Sequence, residues 1–224
     1  MERAMQNARI QIFPSLISAD LLNLQKEIDL LSSHCDGFHI DVMDGNFVPN
    51  LTWGFPFIKA ISSATSKPLS VHLMVAQPEA ISRRLELNEG DTVAFHLEAT
   101  TAPMILIEHL KKKGVRASLA IKPSTSLEAL FPFVSFVDEI LLMSVEPGFS
   151  GQSFISSSVD RLKSLASYRA QHKLSFSIIM DGGLDAENLP ALAKHGLNNA
   201  AIASAIFSHK NSVQALKNLY AAVR

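Results

Sequence analysis

The residues best suited to chemistry in this chain begin with an imidazole and a carboxylate two positions apart. In Phe38-His39-Ile40-Asp41-Val42-Met43-Asp44-Gly45-Asn46-Phe47-Val48-Pro49-Asn50, apolar residues interleave with polar ones, and the first half reads as a buried strand. Alternate strand residues share a face, so His39, Asp41 and Met43 project together while Phe38, Ile40 and Val42 point the other way. An imidazole and a carboxylate so placed can converge on one metal ion. Asp44-Gly45 breaks the strand, and Asp44 reads as its turn residue. Parallel α/β proteins place their chemistry at such carboxyl ends.

The rest of the chain must position this pair. Apolar runs at residues 10–15, 38–43, 69–74, 92–97, 115–121, 136–143, 175–180 and 198–203 read as eight strands. Helical periodicity or helix punctuation follows each: from Asp20, at 55–63, from Pro78, at 103–113, 126–131, 154–172, 185–195 and 212–223. Alternating β and α elements imply a parallel sheet, and eight units without a Ser/Gly-rich linker imply a single (β/α)8 barrel over residues 10–224, after an extension of residues 1–9.

Bulk properties narrow the class. The 20 Lys and Arg against 21 Asp and Glu give a formal charge of -1, which argues against nucleic acid or an anionic membrane as partner. No apolar run approaches the ~18 residues of a membrane-spanning helix. The polar start predicts no signal peptide, and the one cysteine, Cys35, forms no internal disulfide and reads as a packing residue. A cytoplasmic protein is expected.

On a barrel, strand ends decide the chemistry. Strand one ends in Ser15, strand two in His39, Asp41 and Met43, strand three in His72 and Met74, strand six in Met143, and strand seven in Asp181-Gly182-Gly183. Two His and two Asp then face one mouth, a donor set suited to Zn, Fe, Mn or Co. No single pair would be convincing; the joint placement carries the reading. Met43, Met74 and Met143 ring the same mouth and would exclude water from it. Glu146-Pro147-Gly148-Phe149-Ser150-Gly151-Gln152, Gly182-Gly183 and Ala203-Ser204 form turns of the kind that bind phosphate through backbone N–H groups, without an accompanying Lys or Arg.

From Pro14-Ser15 to Ser204-Ala205-Ile206-Phe207 the chain resembles the ribulose-phosphate 3-epimerase family. Ser18-Ala19-Asp20, His39 through Asn50, Val71-His72-Leu73-Met74-Val75, Glu146-Pro147-Gly148-Phe149 with Gly151-Gln152, and Asp181-Gly182-Gly183 carry the resemblance. It implies reversible epimerisation of ribulose 5-phosphate and xylulose 5-phosphate at carbon 3, in the pentose phosphate pathway, by a homo-oligomer. It further implies that His39, Asp41, His72 and Asp181 bind one divalent metal, with Asp41 and Asp181 doubling as acid–base groups. Ser15 and His72 would contact the sugar, while Gly148, Phe149, Ser150, Gly151, Gly182, Gly183, Ala203 and Ser204 would lie against the phosphate.

The chemistry accounts for these types. A proton beside a ketone is too weakly acidic for an ordinary Asp, of pKa ~3.9. A Lewis acid on the carbonyl stabilises the enediolate, and inversion needs one base on each face of it.

Four positions depart from the family pattern: Ser150 and Ala203 replace glycines, Asn46 a histidine, and Ser124 a glycine. A positive φ at Ser150 or Ala203 would be strained. The rival readings are an epimerase of a hexulose phosphate such as allulose 6-phosphate, a decarboxylase or lyase barrel, whose Asp-x-Lys cluster this chain lacks, and a non-catalytic sugar-phosphate-binding barrel.

Overall fold

Alternation along each strand sorts the apolar side chains into two cores. The structure, a computed structural model, describes residues 9–223; of the expected extension, residues 1–8 lie outside the described residues. Eight strands, β1 (Gln11–Pro14), β2 (Phe38–Met43), β3 (Leu69–Met74), β4 (Thr92–His96), β5 (Arg116–Ile121), β6 (Glu139–Met143), β7 (Ser177–Asp181) and β8 (Asn199–Ile202), pair in parallel in the order β1-β8-β7-β6-β5-β4-β3-β2. Between β1 and β2 the ring comes together through a parallel bridge from Ser15 to His39. The eight-stranded barrel is therefore nearly closed, and its seam runs beside the first candidate site residue.

Side chains such as Ile40, Val71, Phe95, Leu119, Leu142 and Met180 point outward into the larger core beneath the helices. The interior is filled by Ala94, Ala120, Leu141, Ile179 and Ala201, with Met143 and Val145 above them. Covered on both faces, such strands read as nearly continuous apolar runs. Three interior alanines flank bulky polar residues in register: Ala94 beside His72, Ala120 beside His96, and Ala201 beside Asp181. Their small side chains leave room for imidazoles and carboxylates at the mouth.

The opposite end is tied off by a repeated device. A residue just before each even-numbered strand accepts a hydrogen bond from a backbone N–H of the preceding odd strand. Asp36 takes Ile12, Asp91 takes Leu69, Asp138 takes Ala117 and Asn198 takes Ile178, at 2.8–2.9 Å. Strand feet have unpaired donors, and these side chains satisfy them.

The helices are α1 (Leu24–Ser32), α2 (Phe55–Ala64), α3 (Pro78–Arg84), α4 (Pro103–Lys112), α5 (Ser158–Gln171), α6 (Leu189–Lys194), α7 (Ser204–Phe207) and α8 (Ser212–Ala222). Proline in the first turn starts α2, α3, α4 and α6. The Asp20 carboxylate accepts the Leu22 N–H at 3.1 Å as expected, but it caps a 3-10 turn (Leu21–Asn23) before α1.

Other boundaries move for local reasons. The helix expected at 126–131 is a single 3-10 turn (Leu127–Ala129). Strand six starts at Glu139, not 136, because residues 131–136 are turns in which the Phe136 N–H reaches the Phe133 carbonyl. The fifth long helix starts at Ser158, not 154, because the Ile155 N–H bonds to the Ser144 carbonyl beyond β6. Asp185 accepts the N–H groups of Glu187 and Asn188, which delays α6 to Leu189. Among the described residues no helix is long and apolar enough to cross a membrane.

Candidate active site at the carboxyl mouth of the barrel

Three strands deliver one buried cluster. His39 and Asp41 come from β2, His72 from β3 and Asp181 from the last position of β7, and one donor atom from each lies within 4.8 Å of the others. His39 Nε2 is 3.3 Å from Asp41 Oδ1 and 3.6 Å from Asp181 Oδ2. His72 Nδ1 is 3.2 Å from Asp41 Oδ1 and 3.3 Å from Asp181 Oδ2. Both imidazoles are fully buried.

The cluster fits a divalent cation. His39 Nε2 is buried without a hydrogen-bond partner among the described residues, and the carboxylate oxygens near it stand at distances of charge attraction. Donor atoms of all four residues thus converge on a shared point, with one hydrogen-bond contact among them, between His72 Nδ1 and Asp41 Oδ1. Two imidazole nitrogens and two carboxylate oxygens form a donor set that Zn²⁺ and its neighbours accept.

The electrostatics agree. Burial alone would drive protons off His39, but the facing carboxylates of Asp41 and Asp181 overcome it and push the imidazole up to about 10. His72 is raised for the same reasons. Burial opposes ionisation of Asp41 and Asp181, yet both are held below the usual carboxylate range by the two imidazoles. A pocket that draws positive charge so strongly suits a cation in place of the protons.

A second layer holds these groups. Ser15 donates to Asp41 Oδ2 at 2.7 Å, and Ser70 Oγ lies 3.1 Å from His39 Nδ1. His72 Nε2 lies 2.9 Å from His96 Nε2, and His96 Nδ1 lies 3.2 Å from Glu98 Oε2. Burial depresses His96 to about 4, whereas hydrogen bonds from His96, Thr125 and the Lys122 N–H outweigh burial to hold Glu98 at about 2. Sequence reasoning passed over His96 and Glu98, although His96-Leu97-Glu98 repeats the imidazole–carboxylate spacing of His39-Ile40-Asp41.

Above the cluster opens a cleft of about 510 Å³, counted out to its mouth. Ser15, Asp41 and Asp181 reach it from below. Met43, Met74 and Met143 border it, as do Gly148, Phe149, Ser150, Gly151, Gly182, Gly183, Ala203 and Ser204. Glu146 and Gln152, at the two ends of the expected phosphate turn, line it too, as does Leu184, which the sequence reading passed over. His72 is not among the lining residues: it is fully buried, with Nδ1 3.2 Å from Asp41 Oδ1 and Nε2 2.9 Å from His96 Nε2 below the cleft floor. Met43 and Met74 pack with Val48, while Met143 belongs to the barrel interior.

The loops are braced against one another. Asn50 donates to the Gly148 carbonyl at 2.9 Å, and Gln152 donates to the carbonyls of Glu146 and Phe149. Asp44 is the turn residue expected, accepting the N–H groups of Asn46, Phe47 and Ala76. The strain considered for Ser150 and Ala203 does not arise. Gly148 and Gly151 carry the positive φ of their loop, at 126° and 78°, and Ala203 has φ -103°.

A (β/α)8 barrel with a buried His/Asp cluster beneath a glycine-rich cleft has the architecture of a barrel enzyme whose reaction takes place at the strand ends. Residues 11–207 match the ribulose-phosphate 3 epimerase family. The ribulose-phosphate 3-epimerase of Treponema pallidum is 38% identical over 196 residues, covering 87% of this chain and 90% of the relative. That of Methanocaldococcus jannaschii is 36% identical over 211 residues, covering 94% and 89%. The chloroplastic ribulose-5-phosphate-3-epimerase of Arabidopsis thaliana is 34% identical, covering 96% and 78%. The chain belongs to the ribulose-phosphate 3-epimerase family and is an isomerase. Two solved structures share the fold alone. Orotidine 5'-monophosphate decarboxylase from Sulfolobus solfataricus has TM-score 0.66 at 12% identity, covering 97% of this chain and 98% of that one. A 3-hexulose-6-phosphate synthase has TM-score 0.63 at 15% identity, covering 96% and 100%.

Proposed function

We propose that this protein interconverts ribulose 5-phosphate and xylulose 5-phosphate by two-base proton transfer at carbon 3, with Asp41 and Asp181 as the bases and His39, Asp41, His72 and Asp181 holding one divalent cation. The observation that carries the reading is the convergence of two carboxylates, from β2 and β7, on the same imidazole pair at the floor of the cleft. When bound, the cation supplies Lewis-acid stabilisation of negative charge gathering on the substrate carbonyl.

The side chains do the rest. One carboxylate accepts the carbon 3 proton, and the C–H electron pair moves into the enediolate. The other carboxyl enters the step protonated and delivers its proton to the opposite face. The two exchange protonation states, so the reverse reaction starts from the product form of the enzyme and no proton is consumed overall. Ser15, donating to Asp41 Oδ2, keeps that carboxylate turned toward the cleft. Met43, Met74 and Met143 form the apolar surround that keeps water from the enediolate. Backbone N–H groups of the Gly148–Gly151 loop, Gly182-Gly183 and Ala203-Ser204 receive the phosphate.

A coupled assay on ribulose 5-phosphate, with metal analysis of the same sample, tests the proposal. Turnover that rises with divalent-cation content supports it. A fully metalated sample that turns over allulose 6-phosphate but not the pentulose contradicts it.

A further inference from the structure

His96 and Glu98 line neither the cleft nor the cation cluster, yet they form an unbroken line behind His72. Glu98 is fixed first: Oε1 accepts the Lys122 N–H at 2.8 Å and the Thr125 hydroxyl. Its Oε2 lies 3.2 Å from His96 Nδ1. A carboxylate only accepts, so His96 Nδ1 carries the hydrogen. A neutral His96 then has a bare lone pair on Nε2, which lies 2.9 Å from His72 Nε2. Two nitrogens at that distance share one hydrogen, and here it must belong to His72. A neutral His72 with its hydrogen on Nε2 keeps its lone pair on Nδ1, the atom that faces Asp181 and lies 3.2 Å from Asp41 Oδ1, so that a cation between them would take the place of the proton.

The surroundings keep this line in place. His72 and His96 are fully buried. The Phe47 ring lies against His96 with centroids 4.8 Å apart, and the Lys122 ammonium stands 4.2 Å over that ring. Among the described residues the other imidazole has no such line: His39 Nδ1 meets the Ser70 hydroxyl, which can donate or accept.

Building on the cation reading above, we propose that Glu98 and His96 are positioning residues that set the tautomer and orientation of His72, presenting Nδ1 as a bare ligand atom. The Glu98 charge is thereby relayed through two imidazoles to the cation pocket. Outer partners of this kind fix a ligating imidazole and raise its basicity, and losing one typically costs ~10–100-fold in metal affinity.

The test is Co²⁺ titration of the metal-stripped full chain, together with ring ¹⁵N NMR of the Zn²⁺-loaded protein. Glu98→Ala and His96→Phe should each weaken Co²⁺ binding by about 10- to 100-fold. His96→Gln, whose amide oxygen can accept the His72 hydrogen, should recover most of that loss. The NMR should show His72 protonated at Nε2 in the wild type, a readout independent of whether any variant folds. Equal Co²⁺ affinity in folded variants, or His72 protonated at Nδ1, overturns the proposal. A wild type that binds no Co²⁺ overturns both this proposal and the cation reading. One that binds Co²⁺ through the relay but epimerises neither sugar supports the relay and removes only the functional reading.

Discussion

Ser15, one partner of the Ser15–His39 bridge that closes the barrel, donates a 2.7 Å hydrogen bond across the seam to Asp41, two residues beyond the other partner. The bond takes Asp41 Oδ2, leaving Oδ1 to face both imidazoles. Hydrogen bonds to charged groups contribute about 1.5–3 kcal/mol. Ser15→Ala should therefore lower kcat by roughly 10- to 150-fold while leaving the fold intact, read from steady-state kinetics and thermal unfolding. An unchanged kcat would remove Ser15 from the account.

Gly183 allows the loop after β7 to pass beside the β6 loop. A Cβ there would stand 2.6 Å from the Phe154 backbone nitrogen, and its φ is 66°. At Gly182 φ is 114°, beyond the left-handed region open to side chains, and the added carbon would meet Val145 Cγ2 at 2.3 Å and Cβ at 3.0 Å. Gly182→Ala and Gly183→Ala should each destabilise the protein by at least about 1–2 kcal/mol and raise KM. Urea unfolding and steady-state kinetics on both variants check this.

Much of this architecture was legible in the sequence. Residues 69–74 read as a strand and form one, and Pro78 starts α3, because prolines flank an apolar run whose two faces are both buried. His39, Asp41, His72 and Asp181 could be assembled because strand parity and the barrel's single chemical end place them together. The foot of β6 was not legible. Phe136 and Val137 look like strand residues, and the turns of residues 131–136, with the tie between Asp138 and Ala117 on another strand, decide where β6 begins. Nor was the burial of His72, which depends on His96 arriving behind it from β4.

Three helices end in the same hydrogen-bond motif, two with glycine and one without. After α4 and α6, Gly114 and Gly196 take φ 74° and 93°; after α5, Lys173 takes φ 53°, with its N–H on the Ala170 carbonyl and that of Leu174 on Arg169. A left-handed residue with a Cβ costs about 1–2 kcal/mol. Lys173→Gly should raise stability by about 1 kcal/mol without touching activity, measured by urea unfolding beside kcat.

Glu139 is buried at the foot of the barrel, where Asn199 and Ser177 donate to one oxygen and the other has no partner among the described residues. Burial raises it above its ordinary value of 4.5, although Asn199, Arg116 and Ser177 pull the other way. A raised folded value contributes stability that is full below pH 4.5 and lost as pH climbs through the folded value. Glu139→Gln should flatten this fall above pH 4.5 and leave the protein more stable where the wild-type carboxyl ionises. Denaturant midpoints followed upward from pH 4.5 provide the check.

Epimerisation through two opposed carboxylates is tested most directly in D₂O, with ribulose 5-phosphate and the cation-loaded protein followed by ¹H NMR. The expected product is xylulose 5-phosphate carrying deuterium at carbon 3. Asp41→Asn and Asp181→Asn should each abolish its formation, with the cation content of every sample measured alongside. Product that retains its original proton, or substantial turnover by either variant, would contradict the two-base assignment.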